Sequence, residues 1–219
     1  MENGILLIDK PAGLTSFGVV ARVRRVLSQQ QGKKVKVGHT GTLDPFATGL
    51  MILVIGKECK NAGTYSKLDK VYEATIKLGQ VSTTGDPEGE ITNISDIIPI
   101  QKDIEDVLFN FIGEIMQRPP IYSAIKIGGQ RAYKLAREGK TIEMPERQVT
   151  IYDIEIIEYK YPELKVKAGV SSGTYIRTLA EDIGKAIGVG AYCTQLRRIN
   201  ISNWSIEQAI QLSTMGIID

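Results

Sequence analysis

HTGTLDPFATGLMILVI, residues His39 to Ile55, holds two stretches of opposite character. Leu50–Ile55 is an unbroken apolar run, short and rich in Ile, Leu and Val, as in a strand buried on both faces. His39–Gly49 follows neither a helical nor a strand period. It contains the only histidine of the chain, three threonines, and one acid, Asp44, locked in front of Pro45. Gly38 and Gly41 permit tight turns, and Pro45 biases Asp44 toward extended geometry. Taken alone, a structural loop is the simpler account. Two points favour a site instead. A carboxylate at the edge of an apolar strand, on a loop stiffened by proline, is how a positioned nucleophile would be built. The chain also offers no rival centre. One histidine excludes a two-histidine metal site, and Walker, Rossmann and G-x-S-x-G patterns are all missing.

Outward from this segment, the pattern predicts a mixed α+β chain. GILLIDK reads as a first strand. In TSFGVVARVRRVLSQQ, residues Val19, Val20, Val23, Val26 and Leu27 fall at helical spacing, with Thr15 or Ser16 able to cap. KVYEATIKLG alternates as a half-buried strand, and TTGDPEGE is a turn. QKDIEDVLFNFIG predicts a helix with the stripe Ile104, Val107, Leu108, Phe111 and Ile112, stopped by Gly113. RPPIYSAIKIGGQRAYKLAREG looks like an excursion: a double proline, a short extended run, a glycine turn and a small basic helix ended by Gly139. Strands are expected at Val149–Tyr159 and Leu164–Val170. Thr178 with Glu181 suggests a capping box, so a helix is expected just after Thr178 with Gly173–Arg177 extended and Tyr175 and Arg177 on one side. A strand near CTQLRRINIS and a short helix capped by Ser205 follow.

The 219 residues, 42% hydrophobic and 24% charged, suit one large domain or a domain with a small appendage. No apolar stretch approaches the ~20 residues that span a bilayer. MENGILLIDKPAG has no basic leader or small-residue cleavage site, so a cytoplasmic protein without membrane contact is expected. Cys59 and Cys193 lack metal-type spacing and read as reduced, buried thiols. The net charge is only +2, but its distribution is lopsided. Lys10, Arg22, Arg24, Arg25, Lys33, Lys34 and Lys36 lie between Asp9 and Asp44 with no acid among them. Arg131, Lys134, Arg137 and Lys140 form a second basic cluster, while acids concentrate between Asp86 and Asp106. Such asymmetry gives one face the positive potential that a polyphosphate partner requires.

GHTGTLDPFATGLMILVIGKECK closely resembles the catalytic motif of the TruB family, the tRNA pseudouridine-55 synthases. LLIDKPAGLTSF is similar to the family's opening motif. DKVYEATIKLGQVSTTGDPEGE resembles the strand that carries its active-site tyrosine, and RPPIYSAIKIGGQRAYKLAREG its RNA-gripping insertion. SGTYIRTLAEDIG and QLRRI match the last two pocket elements in order and approximate spacing. Together these segments cover nearly the whole chain.

The resemblance implies a pseudouridine synthase fold: a large, mixed, mostly antiparallel sheet flanked by helices, with a basic insertion at about residues 118–147. It further implies a single catalytic domain over residues 1–219; the C-terminal RNA-binding domain of longer relatives is expected to be absent, the one departure from the family pattern. By position, Asp44 would be the nucleophile and Arg177 its guanidinium partner, lowering the carboxylate pKa by ~1–3 units. Tyr72 would stack on the target base and could assist proton transfer at C5. Tyr175 would be a pocket residue, Leu196 an apolar wall, and His39 a contact where the nucleotide leaves its stack. Lys10 and Pro11 would support the site. Neither metal nor organic cofactor is implied. The substrate would be the T-arm of tRNA, its T-loop uridine flipped out at a cost of a few kcal/mol that stacking partly offsets. A monomer is the default expectation. A catalytically silent RNA-binding or tRNA-folding protein, and a base-excising hydrolase, remain the competing readings.

Overall fold

The computed structural model describes residues 3–123, 125–140 and 142–217. Its contacts gather into two compact units. One comprises the chain up to Tyr72 together with the residues from Arg197 onward, and the other is Glu73–Leu196.

The first unit opens with strand β1 (Gly4–Lys10) and helix α1 (Ser16–Gln31), both as expected from the sequence. Thr15 caps α1, its Oγ1 accepting the Gly18 N–H at 2.9 Å, and Gly32 closes it in the left-handed conformation. Val19, Val20, Val23 and Leu27 form the buried stripe. Strand β2 (Val37–His39) and strand β3 (Thr48–Ile55) bracket the odd loop, and a 3-10 turn (Gly56–Asn61) leads into helix α2 (Ala62–Ser66). Strand β3 runs antiparallel to β1, from Gly4↔Ile55 to Lys10↔Gly49, and antiparallel to β2 through His39↔Leu53. A strand paired on both edges and buried from Gly49 to Ile55 needs apolar side chains on both faces, which is why its period is lost. Strand β4 (Lys70–Leu78) then carries the chain out of this unit.

In the second unit, β5 (Gln80–Ser82) and β6 (Ile91–Asn93) form a small hairpin around residues 83–90. Helix α3 (Gln101–Phe109) follows, and then strand β7 (Gly113–Gln117). The expected stripe of α3 is only half right. Ile104 and Leu108 are buried, but Asn110 already ends the helix, so Phe111 and Ile112 lie beyond it. Gly113, with φ +109°, opens β7 instead of capping.

Residues 118–146 carry strands β8 (Lys126–Ile127) and β9 (Gln130–Arg131), then the short helix α4 (Ala132–Arg137). The turn between the two strands is Gly128-Gly129, both at positive φ. Of the second basic cluster, the Arg137 side chain lies outside the described residues. Long strands β10 (Arg147–Lys160) and β11 (Glu163–Val170) pair antiparallel, and β10 also pairs with β7. Helix α5 (Ile176–Ile187) and strand β12 (Ala191–Ile201) complete the unit, whose sheet order is β12-β4-β11-β10-β7. Helix α3 packs against α5 and β10.

The last residues of β12 return to the first unit, Arg197 and Arg198 lying parallel to Thr48 and Gly49 of β3. Gly49 has φ +107°, and a Cβ there would overlap the Arg198 backbone, so this close approach admits glycine alone. Strand β13 (Trp204–Ser205) precedes a 3-10 turn (Ile206–Gln208) with the expected Ser205 cap, and β14 (Ile210–Gln211) pairs parallel with β1. Leu50, Ile52 and Ile201 form one core cluster, packed against Ile5, Leu7, Tyr65 and Trp204. Of the two thiols expected to be buried, Cys193 is buried and Cys59 is partly exposed.

Candidate active site

The loop from Thr40 to Ala47 has no regular structure, yet its backbone is held almost residue by residue. Thr40 donates its N–H and its hydroxyl to the Ile52 carbonyl, at 3.2 and 3.3 Å. Arg198, 1% exposed, donates Nη2 to the Gly41 carbonyl at 3.2 Å and Nε to the Leu50 carbonyl at 2.7 Å. The Ser16 hydroxyl accepts the Leu43 N–H at 2.8 Å and donates to the Leu43 carbonyl at 2.9 Å. Ala47 N–H closes a turn onto the Asp44 carbonyl at 3.2 Å, with Pro45 at its second position. The Pro45 carbonyl accepts from Gly13 N–H at 2.8 Å and from Lys10 Nζ at 3.2 Å.

Lys10 is wholly buried, and its ammonium also donates to the Pro11 and Leu14 carbonyls, both at 2.7 Å. Three carbonyls around a buried ammonium lower the cost of its desolvation. Lys10 is therefore a strut between the turn after β1 and the Asp44 loop. Arg197, beside it in sequence space to Arg198, pairs with both Asp9 carboxylate oxygens at 3.1 and 2.8 Å and reaches Thr48 Oγ1 at 3.3 Å. Lys70, also buried, donates to the Ser66 and Leu68 carbonyls. Burial first, then the nearby Arg198 charge, push its ammonium down to about 8.

Of the site residues read from sequence, the first unit holds His39, Asp44 and Tyr72. His39 is half-buried at the end of β2 and lines a cavity of about 320 Å³ with Thr40, Gly41, Thr42, Ala62, Gly63 and Ser66. Asp44 is half-buried on the proline turn, and Tyr72 is buried within β4.

The second unit holds Tyr175, Arg177 and Leu196. Leu196 is buried in β12. Helix α5 starts two residues before the expected Thr178 box, so Arg177 is helical and the strand-like alignment of Tyr175 with Arg177 is wrong. The reason lies far off in sequence. Gln117, 1% exposed, accepts the Tyr175 N–H at 2.7 Å and donates to the Tyr175 carbonyl at 3.0 Å. That carbonyl also takes the Leu179 N–H at 3.0 Å. A distant amide thus fixes the helix start, and Thr178 turns its hydroxyl to the Arg118 carbonyl instead.

Arg177 is 4% exposed in the first turn of α5, where the helix dipole disfavours a cation. Its Nη1 donates to Asp86 Oδ2 at 2.7 Å and to the Thr84 carbonyl at 2.9 Å, and its Nη2 to the Tyr122 carbonyl at 2.9 Å. Asp86 is 3% exposed, and its other oxygen accepts from Thr84 Oγ1 at 2.6 Å and Glu88 N–H at 3.0 Å. This buried ion pair was missed in the sequence because Asp86 sits in a stretch with every mark of a solvated turn. So were Ser16, Gln117 and Arg198, each of which acts on a distant backbone.

One turn along α5, Glu181 packs over Gly85. Burial pushes its carboxyl up to about 7, aided by Asp182 and Asp86 and opposed by Arg177. The folded form therefore keeps a proton that the unfolded chain, at about 4.5, has lost, so stability falls as pH rises through that window. Glu181→Gln is expected to melt above wild type at pH 8, with the gap closing toward pH 5. Calorimetry at both values checks this, and a gap independent of pH would contradict it.

The family model described as TruB family pseudouridylate synthase (N terminal domain) matches residues 24–176, and that described as tRNA pseudouridylate synthase B C-terminal domain matches residues 177–216. A tRNA pseudouridine synthase B of Burkholderia lata is 42% identical over 217 residues, covering 99% of this chain and 66% of that protein. The protein of the same name from Cupriavidus pinatubonensis is 43% identical, covering 96% and 66%. The chain thus spans about two-thirds of the length of these curated relatives. Among solved structures, a Cbf5-Nop10-Gar1 complex aligns with TM-score 0.74 and 31% identity over 96% of this chain and 52% of that one. An H/ACA RNP bound to a substrate RNA containing 2'-deoxyuridine aligns at 0.70 with 28% identity, over 96% and 51%. With a family model spanning well over half its length and relatives above 40% identity, the chain belongs to the TruB family of pseudouridylate synthases.

Proposed function

We propose that this chain converts a uridine of tRNA to pseudouridine, the T-loop uridine at position 55 being its target and Asp44 the nucleophile. The observation that carries the proposal is the anchoring of Asp44. A half-buried carboxylate on a proline turn, with the backbone on both sides bonded to β1, α1 and β12, suits a group that must meet one atom of a substrate. The reaction breaks the bond from ribose C1′ to uracil N1, turns the base, and joins C1′ to C5. The proton lost from C5 is replaced at N1, so atoms balance with no added reactant. Asp44 would hold the intermediate through a transient bond to C1′ or to the uracil ring. Arg177 would keep that carboxylate charged, Tyr72 would stack on the base, and Tyr175, Leu196 and His39 would shape its surroundings.

Exposed cations support RNA as the partner: Arg25, Lys33, Lys34 and Lys36 in the first unit, and Arg131, Lys134 and Lys140 in the second. Contacts of this kind to phosphates make affinity steeply salt-dependent. The same reading has a monomer acting on the tRNA T-arm in the cytoplasm, with residues 118–147 gripping the RNA. The test is tritium release from tRNA transcripts labelled at uridine C5, joined to mass analysis of the product. Release of one equivalent from the T-loop with unchanged RNA mass is expected. Loss of the base would mean excision, and tight binding with no release would mean an RNA-folding protein.

A further inference from the structure

We infer that Ser16 is a positioning residue for Asp44, an inference that rests on reading Asp44 as the nucleophile. Ser16 is the first residue of α1 and is 3% exposed, yet it does not cap its own helix, a task performed by Thr15. Its one hydroxyl instead serves both backbone groups of Leu43, accepting the N–H at 2.8 Å and donating to the carbonyl at 2.9 Å. Leu43 directly precedes Asp44, and its side chain is itself buried. A hydroxyl is the smallest side-chain group that is donor and acceptor together, so it fills the role of a single rung of sheet where no strand runs. On the other side of Asp44, the Pro45 carbonyl is held by Gly13 and Lys10. The carboxylate therefore stands between two held residues, and among the bonds described above Ser16 supplies the side-chain ones on the N-terminal side.

Removing this clamp frees Leu43 N–H and carbonyl in a site where water has little access, and the peptide before Asp44 can then turn to find other partners. A shift of about 1 Å at a reacting group costs on the order of 10²-fold in rate. At 3% exposure Ser16 offers almost no surface to a substrate. Its loss should act on turnover and leave RNA affinity alone.

The experiment compares single-turnover pseudouridine formation and tRNA affinity for wild type, Ser16→Ala, Ser16→Thr, Thr15→Ala and Asp44→Ala. Thr15→Ala removes the neighbouring cap of α1 and supplies a destabilised control with no bond to the Asp44 loop. Ser16→Ala is expected to lower the rate by about 10- to 100-fold with affinity within about twofold. Ser16→Thr, which keeps the hydroxyl, should recover most of that loss, and Thr15→Ala should turn over like wild type. If Ser16→Ala keeps the wild-type rate while Asp44→Ala is inactive, the positioning role is wrong and the nucleophile stands. Equal rate losses in Ser16→Ala and Thr15→Ala would make the effect one of general stability, and so would a Ser16→Ala that fails to fold alongside an inactive Ser16→Thr. Activity retained by Asp44→Ala would remove the nucleophile itself, whatever Ser16 does.

Discussion

Asp44→Ala is expected to abolish pseudouridine formation, by about 10³-fold or more, while the protein still folds and still binds tRNA. The fold should tolerate the change because the contacts described around this residue are made to the loop's backbone. The turn closes on the Asp44 carbonyl, Ser16 holds Leu43, and Lys10 with Gly13 holds Pro45. Removing a nucleophile takes away a bond made only along the reaction path, so the loss should fall on the rate rather than on affinity. Asp44→Glu extends the acid by one methylene from a backbone that cannot retreat, and it should be nearly as poor. Single-turnover tritium release beside a binding isotherm at fixed salt separates the two effects. Activity within tenfold of wild type in Asp44→Ala would show that another group performs the chemistry.

The second large effect is expected at Asp86. Its carboxylate lies 2.7 Å from Arg177 Nη1, the two side chains being 5% and 4% exposed. Breaking a buried pair by removing one partner costs about 3–5 kcal/mol, because the desolvated charge that stays behind loses the attraction of that partner. Asp86→Ala should therefore lower the melting temperature by roughly 10 °C or more. It should also slow turnover, since the hold on Arg177 is reduced to the Thr84 and Tyr122 carbonyls among the bonds described above. Asp86→Asn should be no better, since its amide would place a donor against a donor. The discriminating measurement is a double-mutant cycle with Arg177→Met, which removes both charges. Stability should then return by about 1–3 kcal/mol relative to Asp86→Ala, whereas additive losses would show that the pair carries no coupling.

Local rules account for much of the fold. Strand β1, the Thr15-capped α1, strand β3, the long strands β10 and β11, and the glycine turn at Gly128-Gly129 are where period and turn residues placed them. Each depends on neighbours within a few positions in sequence. One failure has the opposite property. Helix α5 starts early because Gln117, 58 residues away, binds both polar groups of Tyr175. Helix α3 stops before Phe111, so a stripe that was correct in composition was too long in extent.

By itself the sequence determined that the chain is α+β, that an aspartate stands on a proline-stiffened loop before a buried strand, and that the whole pattern is that of one family. Tertiary structure alone decided how this loop is kept still and what holds Arg177. A hydroxyl at Ser16, a guanidinium at Arg198 and a carboxylate at Asp86 carry no local signal. Each finds its partner across 27 to 157 residues of chain, and only folding brings such groups within hydrogen-bonding range.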